Sequence, residues 1–131
     1  FIALAIILGA FGAHILKSKL DPYHLEIFKT GQFYHFVGAI GLLGILLLAE
    51  IKNIDIKNVF WLQFAGIICF SFSLYLLSIS PISFFHNFLW LLGPITPIGG
   101  LLMIISWVIL ALKFWFLLCN FIRKILSLWC Q

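Results

Sequence analysis

Long apolar runs separated by short polar stretches organise this chain. Residues 1–16 are apolar and end at Lys17 and Lys19, and "DPYHLEIFKTGQ" follows at 21–32. A second apolar run covers 33–49, and "EIKNIDIKN" at 50–58 closes it. Residues 59–79 carry no charge at all. The stretch "SPISFFHNFLWLLGPITP" at 80–97 is broken by Pro81, Pro94 and Pro97, and a last run reaches Leu112. About 20 apolar residues cross a hydrocarbon core of roughly 30 Å, so the pattern predicts four membrane helices. The first is 1–16. The second is capped by Asp21, has Pro22 at its first position and runs to Ala49, with its first turns outside the hydrocarbon. The third is 59–79, and the fourth starts at Pro97 and ends at Leu112. The prolines predict that 80–97 is a re-entrant or interfacial connection rather than one straight helix.

Composition agrees with an all-α integral membrane four-helix bundle. Of 131 residues, 64% are hydrophobic and 9% charged, against about a quarter charged in soluble domains. The net charge of +4 is dispersed; it flanks the spans and gives no nucleic-acid footprint. Lys52, Lys57, Lys113, Arg123 and Lys124 fall on one predicted face and Lys17, Lys19 and Lys29 on the other. The positive-inside rule therefore expects the first group to be cytoplasmic and both termini to share its side. Cys69, Cys119 and Cys130 are odd in number and lack C-x-x-C spacing, which reads as buried inert thiols. The chain begins without Met, so a few residues are expected before Phe1. No A-x-A-like site follows the first run, as a cleaved signal peptide requires.

Small residues stand out inside the spans. "GAFGAH" at 9–14 would be a loop in water, but in lipid helices associate by close packing, and small residues four apart let backbones approach. Ala5, Gly9 and Ala13, with Gly12 beside them, form such a stripe. Gly31, Gly38, Gly41 and Gly44 flatten the second helix, Gly66, Cys69 and Ser73 the third, and Gly99 and Gly100 open the fourth. A phosphate-cradling loop would need a preceding strand, which is not predicted.

The polar side chains are lopsided. Topology places His14, Tyr34, His35, Ser71, Tyr75, Ser78 and Thr96 in one half of the membrane, leaving Gln63 and Cys69 in the other. These groups either hydrogen-bond across helices, at about 0.6 kcal/mol each, or form a cluster for protons or a small ligand. In both cases His14 and His35 are expected to point into the bundle, within reach of each other or of Tyr75. Two histidines without a nearby carboxylate or thiolate make a poor metal site, so no metal or cofactor is expected. No Ser-His-Asp arrangement can be assembled, and His24 and His86 read as interfacial.

"LGAFGAHILKSKL", "LDPYHLEIFKTG" leading into "YH", "FSFSLYLLSI" and "LGPITPIGGLLMIISWVILAL" resemble the YgdD family of small inner-membrane proteins (domain of unknown function 423), which has a related transmembrane protein in animals. The resemblance covers residues 3–112. It implies four spans, a bacterial or organelle inner membrane, and no established activity. It marks Gly9, Phe11, Gly12, Ala13, His14, Tyr34, His35, Ser73, Tyr75, Pro97, Gly99, Gly100 and Trp107 as motif positions. The family often has a second His one turn after the first in the second span; Gly38 stands there, so a two-histidine site on that helix is not expected.

Residues 113–131 lie beyond the resemblance. Lys113, Asn120, Lys124, Ser127 and Gln131 form one helical stripe, and Phe114, Leu117, Leu118, Phe121, Ile122, Ile125 and Trp129 the other. That is a basic amphipathic helix suited to an interface or a partner, or else the end of an overlong fourth span. The chain thus divides into a bundle at 1–112 and an extension at 113–131. The leading expectation is a non-enzymatic structural or accessory component that packs with itself or a larger membrane complex. The alternative is a transporter or a proton- or small-ligand-binding protein using His14, His35 and Tyr75. A membrane enzyme ranks last, for want of a nucleophile–base pair.

Overall fold

The computed structural model describes residues 1–80 and 89–129, without the side chains of 89–91, 121 and 124–129. All regular structure in them is helical. Helix α1 spans Ile2–His14 and passes through a 3₁₀ turn at Leu16–Ser18; α2 spans Pro22–Lys52. Helix α3, Lys57–Ser78, has α-geometry over Lys57–Ile67 and Ser73–Ser78 and a π-helical segment between them, Ile68–Phe72. Helix α4 spans Leu89–Trp129. Three stretches are long and apolar enough to cross a membrane, Pro22–Lys52, Lys57–Ser78 and Leu92–Asn120. Helix α1, at 13 residues, measures about 20 Å at 1.5 Å per residue.

Local chemistry fixes the boundaries. Asp21 caps α2 as the sequence predicts: its Oδ1 accepts from the backbone N–H groups of Tyr23 and His24 at 3.0 and 3.1 Å. Its Oδ2 lies 2.6 Å from His24 Nδ1. The His24 side chain, then its backbone bond, hold the Asp21 carboxyl below the usual carboxylate range. A carboxylate depressed in the folded state stabilises above its unfolded pKa of about 3.9 and loses that contribution as pH falls through the lower folded value. Asp21→Ala should therefore lower the melting temperature at neutral pH, with the deficit shrinking below about pH 4. A pH-independent deficit would show that the carboxylate charge contributes nothing. At the far end α2 stops at Asn53 in the left-handed region, φ 50°, a conformation Asn tolerates.

Neighbouring helices run antiparallel. Gly12 meets Phe28 and Gly9 meets Gln32 between α1 and α2; Gly31 meets Leu74 and Gly38 meets Ile67 between α2 and α3; Gly66 meets Met103 and Gly99 meets Phe70 between α3 and α4. The start of α1 and the end of α4 consequently point to the same end of the assembly. One apolar cluster, Leu16, Leu20, Phe28 and Tyr75, sits at the end where α1 turns into α2. A second, Ile45, Ile56, Val59 and Leu110, sits where α2 turns into α3. Between them lies a zone of glycines and buried polar side chains.

Several expectations are corrected. Leu89 to Pro97 is helical, so α4 starts before Pro94 and contains both Pro94 and Pro97; the part of the expected connection at 81–88 lies outside the described residues. Membrane helices accommodate proline when neighbouring groups re-satisfy freed backbone atoms; beside the two prolines Thr96 Oγ1 lies 3.1 Å from Leu92 O, a carbonyl that neither ring frees. Ala5, Gly12 and Leu16 are buried on α1 while Ala13 is exposed, because spacings of three and four, not four repeatedly, keep one face inward at 3.6 residues per turn. Gly44 has open space around it. Cys69 is half-buried and Cys119 exposed, Cys119 lying on α4 beyond the packed helices. The helix crosses position 113 without a break, and Lys113 Nζ donates to Asp55 O.

Candidate functional site

The site grows from the point where α2 faces the π-helical segment of α3. Gly31 and Gly38 on α2 bring the two helices close, a Cβ at either position meeting α3 at 3.0 and 2.6 Å. His35 lies between these glycines and is 3% exposed. Its Nδ1 lies 3.2 Å from the Tyr75 hydroxyl, one turn past the π segment. A π turn carries one extra residue and recurs at functional positions in helices. Here it falls at Ile68–Phe72 and includes Ser71, which is 1% exposed.

Two polar atoms in this zone, His35 Nε2 and Ser71 Oγ, have no hydrogen-bond partner among the described residues. Both residues border one cavity of about 350 Å³, whose other walls are Phe1, Leu4, Ile67, Ile68 and Phe72. The ring of Phe1 stands edge-on to the imidazole, centroids 5.3 Å apart. Leu4, Ile68 and Phe72 are exposed on the outer side, so in a bilayer the cavity's mouth faces acyl chains. Pockets of about 300–1,000 Å³ with apolar walls and a few polar groups are the usual form of small-molecule sites.

Of the polar positions singled out in the sequence, the structure joins some and separates others. His35, Tyr75 and Ser71 gather around the π segment. Thr96 joins a second group with Ser73, the hydroxyl oxygens 2.7 Å apart. Ser73 also reaches Phe70 O at 2.8 Å. Two hydroxyls bring two hydrogens to three short contacts. Either Ser73 donates to Thr96 and Thr96 to Leu92 O, or Thr96 donates to Ser73 and Ser73 to Phe70 O. Tyr34 is exposed and packs edgewise on Phe70, centroids 4.9 Å apart.

His14 does not enter the site. It is exposed, contrary to the inward orientation expected for it. Two residues beyond buried Gly12, it is rotated by about 200° around the helix, which turns it away from α2. Of the packing glycines, Gly38, Gly66 and Gly99 are buried, and Gly9 and Gly100 half-buried. Gly100 makes ordinary contact with the Phe70 ring, 3.6 Å from a built Cβ.

The sequence reading missed Ser106. It is fully buried in the half of the membrane assigned only Gln63 and Cys69, and its Oγ donates to Val59 O at 2.9 Å. A lone serine amid "MIISWVIL" carries no periodic signal. Gln63 itself is fully buried, with both amide atoms unpartnered among the described residues. Phe1, as a wall of the cavity, was also not foreseen. Among the described residues no Asp or Glu is buried, and no group of three or more His, Cys, Asp or Glu is placed to hold a metal ion.

A helical membrane protein with polar side chains enclosed between its spans is the class these features define. The chain belongs to the family described as "Protein of unknown function (DUF423)", whose model matches residues 8–100. It is similar to the UPF0382 membrane protein YwdK of Bacillus subtilis, 44% identical over 109 residues, covering 82% of this chain and 83% of that protein. It is likewise similar to the UPF0382 membrane protein SSP2132 of Staphylococcus saprophyticus, 38% identical over 83% of this chain and 85% of the relative. No solved structure matches the chain.

Proposed function

We propose that this chain is a non-enzymatic membrane protein whose packed helices hold a small, largely apolar molecule beside His35, Ser71 and Tyr75. The observation that carries the reading is one largely apolar cavity bordered by His35 and Ser71, two buried residues that each hold a polar atom without a partner among the described residues. Unpaired polar groups in an apolar surrounding are costly, and a bound guest relieves that cost. The absence of buried carboxylates and cations among the described residues weighs against coupled transport, which ordinarily uses such groups inside the membrane.

An accessory role packing against another copy or a larger complex is the second reading. The small residues favour it less than the sequence suggests, since most of them meet neighbouring helices of the same chain. The specific observation for it is the far part of α4, where Trp115 and Phe116 are each 66% exposed. At 41 residues, α4 extends about 60 Å, twice the hydrocarbon thickness. On this reading residues 113–131 are the docking extension.

Purification in gentle detergent followed by native mass spectrometry separates the two. The first reading expects a stoichiometric small molecule that is lost when Ile68→Trp fills the cavity mouth. A stoichiometric protein partner with no small molecule bound would replace it with the second.

A further inference from the structure

A groove of about 410 Å³ runs along the outer side of the seam between α1 and α2. Two close contacts set its floor, Gly12 against Phe28 and Gly9 against Gln32. The bare backbone at positions 9 and 12 leaves a trough beside α2, walled by Ala13, Phe28 and Phe33, with Lys29 at the end nearer the α1–α2 turn. The trough opens away from the rest of the bundle. Gly31 meets α3, and Lys29 and Phe33, each two residues from it, are rotated by about 200° around α2 in opposite senses. Both therefore lie on the side remote from α3, whereas the cavity at His35 lies on the α3 side.

Depth and charge select what fills it. The stretch 30–49, between Lys29 and Glu50, carries no Asp, Glu, Lys or Arg. It measures about 30 Å as helix, the thickness of the hydrocarbon core. Lys29 thus stands where acyl chains give way to headgroups, and Phe33, one turn deeper, stands among acyl chains. Lys29 is exposed, and a lysine at that height extends its ammonium into the headgroup layer. It forms no ion pair among the described residues, although Glu26 precedes it by one turn; Asp21 is engaged by His24 and the first turn of α2. Lys17 and Lys19 are exposed at the same end. Cations beside the headgroup layer favour anionic over zwitterionic lipid. We infer that the groove seats one anionic phospholipid, its phosphate on Lys29 and the upper part of one acyl chain over Gly9 and Gly12, between Ala13 and Phe33.

The test uses the full chain, labelled with ¹⁵N-glycine, in phosphatidylcholine nanodiscs in which phosphatidylglycerol of the same acyl chains replaces a rising fraction of the lipid. The amide resonances of Gly9 and Gly12 should shift and saturate, while Gly66, packed against Met103 between α3 and α4, stays still. Lys29→Gln should weaken the apparent affinity for phosphatidylglycerol about fivefold, and Lys29→Arg should keep it. Lys19→Gln removes a cation at the same end but outside the groove and should change the affinity little. Ala13→Leu fills the trough from its exposed side and should abolish the saturable shift, with thermal melts showing each variant folded. Native mass spectrometry of chain released from an equimolar mixture should retain one phosphatidylglycerol per chain. Equal retention of the two lipids, or equal effects of Lys29→Gln and Lys19→Gln, would overturn the proposal in favour of an unselective lipid shell. A lipid-free dimer that Ala13→Leu dissociates would overturn it in favour of a second copy of this chain. No saturable shift in the unaltered chain overturns it outright.

Discussion

Gly99→Ala should be among the most damaging single substitutions in this protein, costing about 3 kcal/mol. A Cβ at Gly99 would lie 2.9 Å from both the carbonyl carbon of Cys69 and the Cα of Phe70, and nearer still to the Phe70 amide nitrogen. All three are backbone atoms, so no rotamer change relieves the overlap. Helix α4 must withdraw from α3. Withdrawal also opens the contact at Gly66, where a Cβ would stand 3.0 Å from Gly99 O, and stretches the Ser73–Thr96 pair. Gly44→Ala is the matched control. It meets nothing within 4 Å, and helix propensity should make it stabilising by up to about 1 kcal/mol. Unfolding in mixed micelles, followed by circular dichroism, measures both. Indistinguishable midpoints for the two variants would mean that α3 and α4 do not cross at this distance.

Gln63→Met should stabilise the protein by about 1–3 kcal/mol. Gln63 is fully buried and both ends of its amide lack partners among the described residues. Methionine has nearly the same length and volume, so the exchange removes two unsatisfied groups without opening a void. Ser106 nearby shows the contrary case, a buried hydroxyl whose hydrogen bond to Val59 O makes its polarity harmless. A lower unfolding midpoint for Gln63→Met would show instead that the amide is satisfied in the membrane by an enclosed water or another guest. The same reversible unfolding measurement serves.

Spans, caps and direction of packing were legible in the sequence because each has a local cause. Asp21 followed by Pro22 specifies a helix start through backbone geometry alone, and the runs of 16 to 21 apolar residues follow from bilayer thickness. The prolines misled for a physical reason as well. Proline's penalty in water reflects an unpaired carbonyl and a ring clash, and a membrane helix has neighbours that offset both. In the site, the His35–Tyr75 pairing was legible because topology brings the second and third helices together at that depth. His14 was misplaced because depth says nothing about azimuth. A residue's height in the bilayer follows from its distance to the loop, but its facing depends on which stripe the helix buries. On α1 that stripe runs through Ala5, Gly12 and Leu16. Ser71 was named from depth as well, but its place in a π segment was not legible, since the stretch "ICFSF" offers no compositional sign.

That π segment makes the site depend on counting. Each residue turns an α-helix by about 100°, so the extra residue held within Ile68–Phe72 sets where Tyr75 and Ser78 face relative to Val59 and Gln63. Removing Phe70 alone from those five would relax the segment to ordinary α-helix and swing Ser73–Ser78 by about a quarter-turn. Every side chain with chemistry would still be present, and the span would be as apolar and nearly as long, yet Tyr75 would no longer meet His35. Substitution thus tests what the site is made of, whereas a one-residue deletion tests its phase. Two chains of nearly identical composition, differing only in that length, would share a membrane topology without sharing a pocket.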